Sequence, residues 1–180
     1  MRGISMFSFY TLIFLITNTD SIRQNYNQIN VLLINCVVGL VASIIGAVTI
    51  EHKSIGRKKL LFITGLLSSL SLVLSFALQD YSWHIIGIFA TNFFLTIQYL
   101  TVGLYINEAY RTKVRNTAGS LTFMISRFGS ILGPFMVLVS ENLITGVSLI
   151  IISCIQLLFM LLCAISPVET KNKSLDEQIQ

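Results

Sequence analysis

The chain has 180 residues, 54% of them hydrophobic and only 11% charged, with a mean hydropathy of +0.78. Soluble domains carry about 25% charged residues and soluble helices need polar outer faces, so this composition excludes a water-soluble globular class and specifies an integral membrane protein. The net charge of +4 does not mark a nucleic-acid binder, because the basic residues fall in short clusters between apolar runs, as membrane topology signals do.

Six apolar runs predict an all-α membrane protein, with one six-helix transmembrane bundle over residues 1–166 and a polar tail over 167–180. The expected spans are about 4–18, 31–50, 60–78, 85–106, 117–139 and 143–165. The first is short against the roughly 20 residues a helix needs to cross a bilayer. With Arg2 before it and Asn18-Thr19-Asp20 after it, it fits either a short span or a signal peptide, although no small-x-small cleavage site follows. The second span is full length and carries Asn35, Gly39, Ser43 and Gly46. The third carries Gly65, Ser68, Ser69 and Ser75, a small-residue stripe of the kind that lets helices approach closely in lipid. Cys36, Cys154 and Cys163 each lie inside an apolar run and read as packing residues rather than a disulfide or metal framework.

Ten of the twelve basic residues fall on one side of this arrangement: Arg2, then Lys53, Arg57, Lys58 and Lys59, then Arg111, Lys113 and Arg115, then Lys171 and Lys173. Arg23 lies on the other side and Arg127 within the fifth span. The positive-inside rule makes both termini and the two basic loops cytoplasmic, and the asymmetry supports counting the first run as a span. The chain is expected in the plasma membrane, with an organelle membrane as the alternative. Asn172-Lys173-Ser174 fits the glycosylation pattern, but a cytoplasmic tail makes it a chance match.

Polar groups concentrate in four spans: Tyr10, Thr11 and Asn18 in the first, Asn35 in the second, Asn92, Thr96 and Tyr99 at four-then-three spacing in the fourth, and Thr122, Ser126 and Arg127 in the fifth. They read either as the lining of an aqueous path or as interhelical hydrogen bonds, with spans three and six bracing the bundle against lipid. Arg127 lies eleven residues beyond Asn116, or roughly 16 Å at 1.5 Å per residue, near the middle of a hydrocarbon core about 30 Å thick. That depth is too great for easy snorkelling, so its planar, permanently charged guanidinium suits a carboxylate or other anion; a structural ion pair is the alternative. An enzyme is disfavoured. His52 and His84 lie in different loops, and no metal-ligand cluster, phosphate-cradling glycine loop or paired nucleophile and base is present. No cofactor is expected.

The stretch Glu108-Ala109-Tyr110-Arg111-Thr112-Lys113-Val114-Arg115-Asn116-Thr117, followed by Ser126-Arg127-Phe128-Gly129 and Pro134, resembles the E-L-Y-P-T-x-x-R-N … S-R-x-G-x-x-x-x-P signature of major facilitator superfamily transporters. The nearest branches in pattern are the organic-ion (cation/anion) and sugar-porter-like ones. Gly56-Arg57-Lys58-Lys59 is similar to the end of the family's D-R-x-G-R-R loop, and Pro167-Val168-Glu169-Thr170-Lys171 to its closing P-E-T-K. Lys53, Arg111 and Ala118 stand where the family has aspartate, proline and glycine.

The resemblance implies the C-terminal half of a twelve-helix transporter that works by alternating access on a small organic solute in a lipid bilayer. An organic anion or zwitterion is favoured and a sugar is the other candidate. It places Arg127 on the helix that lines the central cavity, where the polar positions of the other spans add Tyr10, Asn35, Asn92, Thr96 and Tyr99 to the expected substrate site. It further implies a cytoplasmic gate of Gly56, Arg57, Lys58, Lys59, Glu108 and Arg115, with Glu108 and Arg57 as a closing pair. Gly129, Gly133 and Pro134 would serve helix packing. The partner would be an N-terminal six-helix bundle or a second copy. A non-transporting six-helix subunit with a structural or interaction role is the alternative.

Overall fold

A computed structural model of the chain describes residues 2–18, 28–51, 56–77, 81–110, 112–141 and 147–165. These form six helices: α1 (Arg2–Asn18), α2 (Gln28–Glu51), α3 (Arg57–Ala77), α4 (Tyr81–Ala109), α5 (Thr112–Glu141) and α6 (Val147–Ile165). The tail 167–180 with its Pro167–Lys171 match, the loop residues Arg23, His52 and Lys53, and Arg111 lie outside the described residues.

Four of these helices, α2 to α5, are long and apolar enough to cross a membrane, while α1 and α6 are shorter apolar helices. The apolar runs are the cause: with no water in hydrocarbon, each backbone N–H and C=O must pair within its own segment, which a helix achieves. Several helices outrun their hydropathy windows. The fourth is expected over 85–106 and spans Tyr81–Ala109, and the fifth is expected over 117–139 and spans Thr112–Glu141. Backbone bonding continues past the point where side chains turn polar, and α5 at 30 residues is about 45 Å long, well beyond a core of about 30 Å. The short first run is a 17-residue helix built into the bundle.

The packing pairs α1 with α5, α2 with α4, and α3 with both α4 and α6. One apolar cluster joins Leu12, Leu15 and Ile16 of α1 to Leu72, Ile88, Leu95, Val137, Leu149 and Ile152. A second joins Leu61, Val102, Tyr105, Ile106, Phe159 and Cys163. The small-residue stripe of α3 does what its spacing predicts. Thr64, Gly65, Ser68, Ser69 and Ser75 are buried, while Phe62, Ile63, Leu70, Val73 and Leu74 face outward. Lipid tails are as apolar as leucine, so helix association here rests on the close contact that the small buried face allows.

The α1–α5 seam is tighter still. A Cβ at Gly133 would stand 2.6 Å from Thr11 Oγ1 and 3.0 Å from the Phe7 carbonyl, and a Cβ at Gly129 would run into the Gly3 carbonyl oxygen. Glycines four apart present one flat strip of backbone, and α1 lies against it. Pro134, inside α5, leaves one helical hydrogen bond unmade beside that strip.

Candidate functional site

Polar ties between helices set the interior. Asn92 Nδ2 of α4 donates to Asn35 Oδ1 of α2 at 2.7 Å, both side chains being buried. Thr96, one turn on, donates its hydroxyl to the Asn92 carbonyl at 2.8 Å. Gln98 of α4 donates to Gln156 Oε1 of α6 at 3.2 Å, with both side chains fully buried. Ser71 and Thr91 share a 2.8 Å bond between α3 and α4. Near the other end of that helix pair His84 Nδ1 donates to the Ser75 carbonyl at 3.0 Å, while the Ser75 hydroxyl donates to the His84 carbonyl at 3.0 Å. In an apolar bundle such pairs are strongly preferred, because an amide with no partner is costly to bury. Neither glutamine pair nor histidine clamp is foreshadowed by local sequence; each joins residues on separate helices.

At one end of the bundle, Arg57 opens α3 and Glu108 lies in the last turn of α4, and the two form an ion pair that is partly exposed. Gly56 sits just before α3, its carbonyl accepting from the Leu60 amide at 2.9 Å and so starting the helix. Lys59 and Arg115 are exposed, and Lys58 is half-buried. Arg115 lines an open groove of about 480 Å³ together with Asn107, Asn116, Gly119, Ser120 and Phe123. The groove runs along the start of α5 beside the end of α4.

Arg127 lies on the outer face of α5, exposed, between the exposed side chains Phe123, Met124, Phe128 and Ile131. Among the described residues its guanidinium has no hydrogen-bond or ion-pair partner. Its backbone carbonyl accepts from the Ser130 hydroxyl at 2.8 Å. Tyr10 is exposed and stands edge-on to Phe9, their ring centres 5.8 Å apart at 86°. Of the six expected substrate residues, then, Asn35, Asn92 and Thr96 are joined in one network, while Arg127 and Tyr10 face outward from the bundle. The sixth, Tyr99, belongs to a cluster that sequence reading missed. Arg2 is 8% exposed, with its guanidinium carbon 3.6 Å from the Phe123 ring centre and 5.7 Å from that of Tyr99. As a basic residue heading an apolar run, Arg2 looks like a topology charge. Only the three-helix meeting of α1, α4 and α5 shows it to be an interior cation.

The family model described as Major Facilitator Superfamily matches residues 1–180. An organic cation transporter protein of Drosophila melanogaster is 31% identical over 127 residues, an alignment that covers 69% of this chain and 23% of the relative. The matched part of the chain therefore spans about a quarter of the length of this curated relative.

Proposed function

Because the chain belongs to the major facilitator superfamily, whose members carry solutes across membranes, we propose that this six-helix bundle forms one wall of an alternating-access pathway for a small organic anion or zwitterion. The observation that carries the reading is Arg127. It is a permanently charged group roughly 16 Å along α5 from Asn116, exposed among apolar side chains and lacking a partner among the described residues. A charge at such depth in hydrocarbon is expensive, so it must face protein or a water-filled cavity, and a guanidinium there is built to receive a carboxylate. The surrounding charges support an anion over a cation. Among the described residues the acids are Glu51, Glu108 and Glu141, all at helix ends, and Glu108 is already paired with Arg57.

The outer faces of α2 and α5 expose rows of large apolar residues, including Leu33, Val37, Leu40 and Ile44 on α2 and Phe128, Ile131 and Phe135 on α5. Arg127 lies on that face of α5, so a second six-helix bundle, supplied by another copy or by another part of a longer protein, would cover it across the pathway. In that assembly the basic end of the bundle is cytoplasmic, and the Arg57–Glu108 pair with Arg115 serves as the gate that closes that side. Tyr10, which is exposed, is the neutral member of the substrate wall, and the buried Asn35–Asn92 bond braces the helices behind it.

A cation-carrying reading has one observation in its favour, the likeness to the insect organic cation transporter. The two are separated by uptake of a labelled aromatic carboxylate and a quaternary ammonium of similar size into vesicles bearing the complete two-bundle assembly. Arg127→Ala is expected to abolish carboxylate uptake while membrane insertion is unchanged. Undiminished carboxylate uptake refutes the role given to Arg127.

A further inference from the structure

Arg2 is a cation with no counter-charge among the described residues. It is 8% exposed, its Nε has no hydrogen-bond partner, and among the described residues no carboxylate lies within ion-pair distance of it. Its contacts are two aromatic faces, Phe123 at 3.6 Å and Tyr99 at 5.7 Å. Ring faces attract a guanidinium but do not neutralise it, and its buried Nε–H is left without an acceptor. A buried charge in this condition is normally completed by an anion.

The groove supplies the route. Phe123 has one face against Arg2 and is itself 48% exposed, and it also lines the groove of about 480 Å³ that holds Arg115, Asn116 and Ser120. That volume lies within the usual range for small-molecule sites, roughly 300–1,000 Å³. The ring therefore touches both a guanidinium whose Nε is unpartnered and a polar, positively charged recess large enough for a small organic ligand.

We propose that Arg2 and the α4–α5 groove form an organic-carboxylate site in which Phe123 is a displaceable cover. The carboxylate takes the guanidinium fork of Arg2, and the ligand's apolar body takes the place of, or stacks on, the Phe123 ring. Arg115, Asn116 and Ser120 hold the part of the ligand that stays in the groove. This deepens the transport reading and rests on it for the choice of an anion. It differs from it in placing a second cationic contact on α1, apart from Arg127.

Saturable binding of labelled benzoate and acetate to the whole chain in phosphatidylcholine nanodiscs tests the site. Arg2→Gln should weaken benzoate binding at least about tenfold, the factor carried by one charge-assisted hydrogen bond. Arg2→Lys should fall between, since it keeps the charge and loses the fork. Phe123→Ala should strengthen acetate binding, because the cover is gone; a purely structural ring would not act in that direction. Equal benzoate affinity in wild type and Arg2→Gln overturns the site, as does an absence of saturable benzoate binding in the wild type. Inorganic phosphate binding as well as benzoate overturns the carboxylate assignment. If Arg2→Gln loses its helical circular dichroism, Arg2→Lys and Phe123→Ala decide by the same criteria. Arg127→Gln, measured alongside, keeps the two readings apart: benzoate binding that depends on Arg127 and not on Arg2 sinks this inference alone, and carboxylate uptake indifferent to Arg127 sinks the transport reading alone.

Discussion

Replacing Gly133 by alanine tests the seam that holds α5, and with it Arg127, in place. The added Cβ would stand 2.6 Å from Thr11 Oγ1, 3.0 Å from the Phe7 carbonyl oxygen and 3.1 Å from the Thr11 amide nitrogen. The hydroxyl can rotate away. The other two atoms are α1 backbone, and ordinary contact begins at 3.4 Å. In an interior packed like a crystal, α1 and α5 must then separate by about 0.4 Å, which overpacking studies value at about 1–3 kcal/mol. Alanine also favours a helix over glycine by up to about 1 kcal/mol, so a control with the same propensity change is needed. Gly103 on α4 provides it, since a Cβ there meets nothing within 4 Å. Unfolding of the two variants in mixed micelles, followed by helical circular dichroism, isolates the steric cost as their difference. Gly133→Ala should be less stable than Gly103→Ala by about 1–3 kcal/mol. Adding Thr11→Ala should recover only part of this, because it clears one of the three contacts. Equal stability of Gly133→Ala and Gly103→Ala would refute the close-seam argument.

The Asn35–Asn92 bond should give a coupling energy of about 0.6 kcal/mol, and no more than about 1.7, in a double-mutant cycle to alanine read by the same unfolding assay; zero coupling would mean that the 2.7 Å contact contributes nothing. For the Arg57–Glu108 pair, either charge reversal alone should slow transport cycling with little change in solute affinity, and Arg57→Glu combined with Glu108→Arg should restore it. Because the pair is partly exposed, its effect on stability should stay near or below about 1 kcal/mol. An affinity loss equal to the rate loss would count against a gate.

What the sequence makes legible is what hydropathy and spacing encode. The six helices follow from apolar runs and the α3 stripe from small residues at helical spacing; Gly129 and Gly133 are readable as packing residues, but only the structure shows that α1 is their partner. The Arg57–Glu108 contact follows from the motif resemblance. Hydropathy misplaces the helix ends, because Arg57 and Glu108 lie inside helices that continue beyond the apolar windows. Pairing across helices is illegible for a different reason. Asn35 and Asn92 are 57 positions apart, and Gln98 and Gln156 are 58 apart, with no local pattern to couple them. Arg2 is the instructive case. Its neighbours in sequence mark it as a boundary charge, whereas its neighbours in space, Tyr99 and Phe123, make it an interior one.

The charge at Arg127 is the centre of the account, and reversing it is the most direct test. In vesicles carrying the complete two-bundle assembly, uptake of labelled benzoate and of a quaternary ammonium of similar size would be compared between wild type and Arg127→Glu. The variant should lose benzoate uptake and shift its selectivity toward the cation. Benzoate uptake and charge selectivity that survive Arg127→Glu unchanged would contradict it.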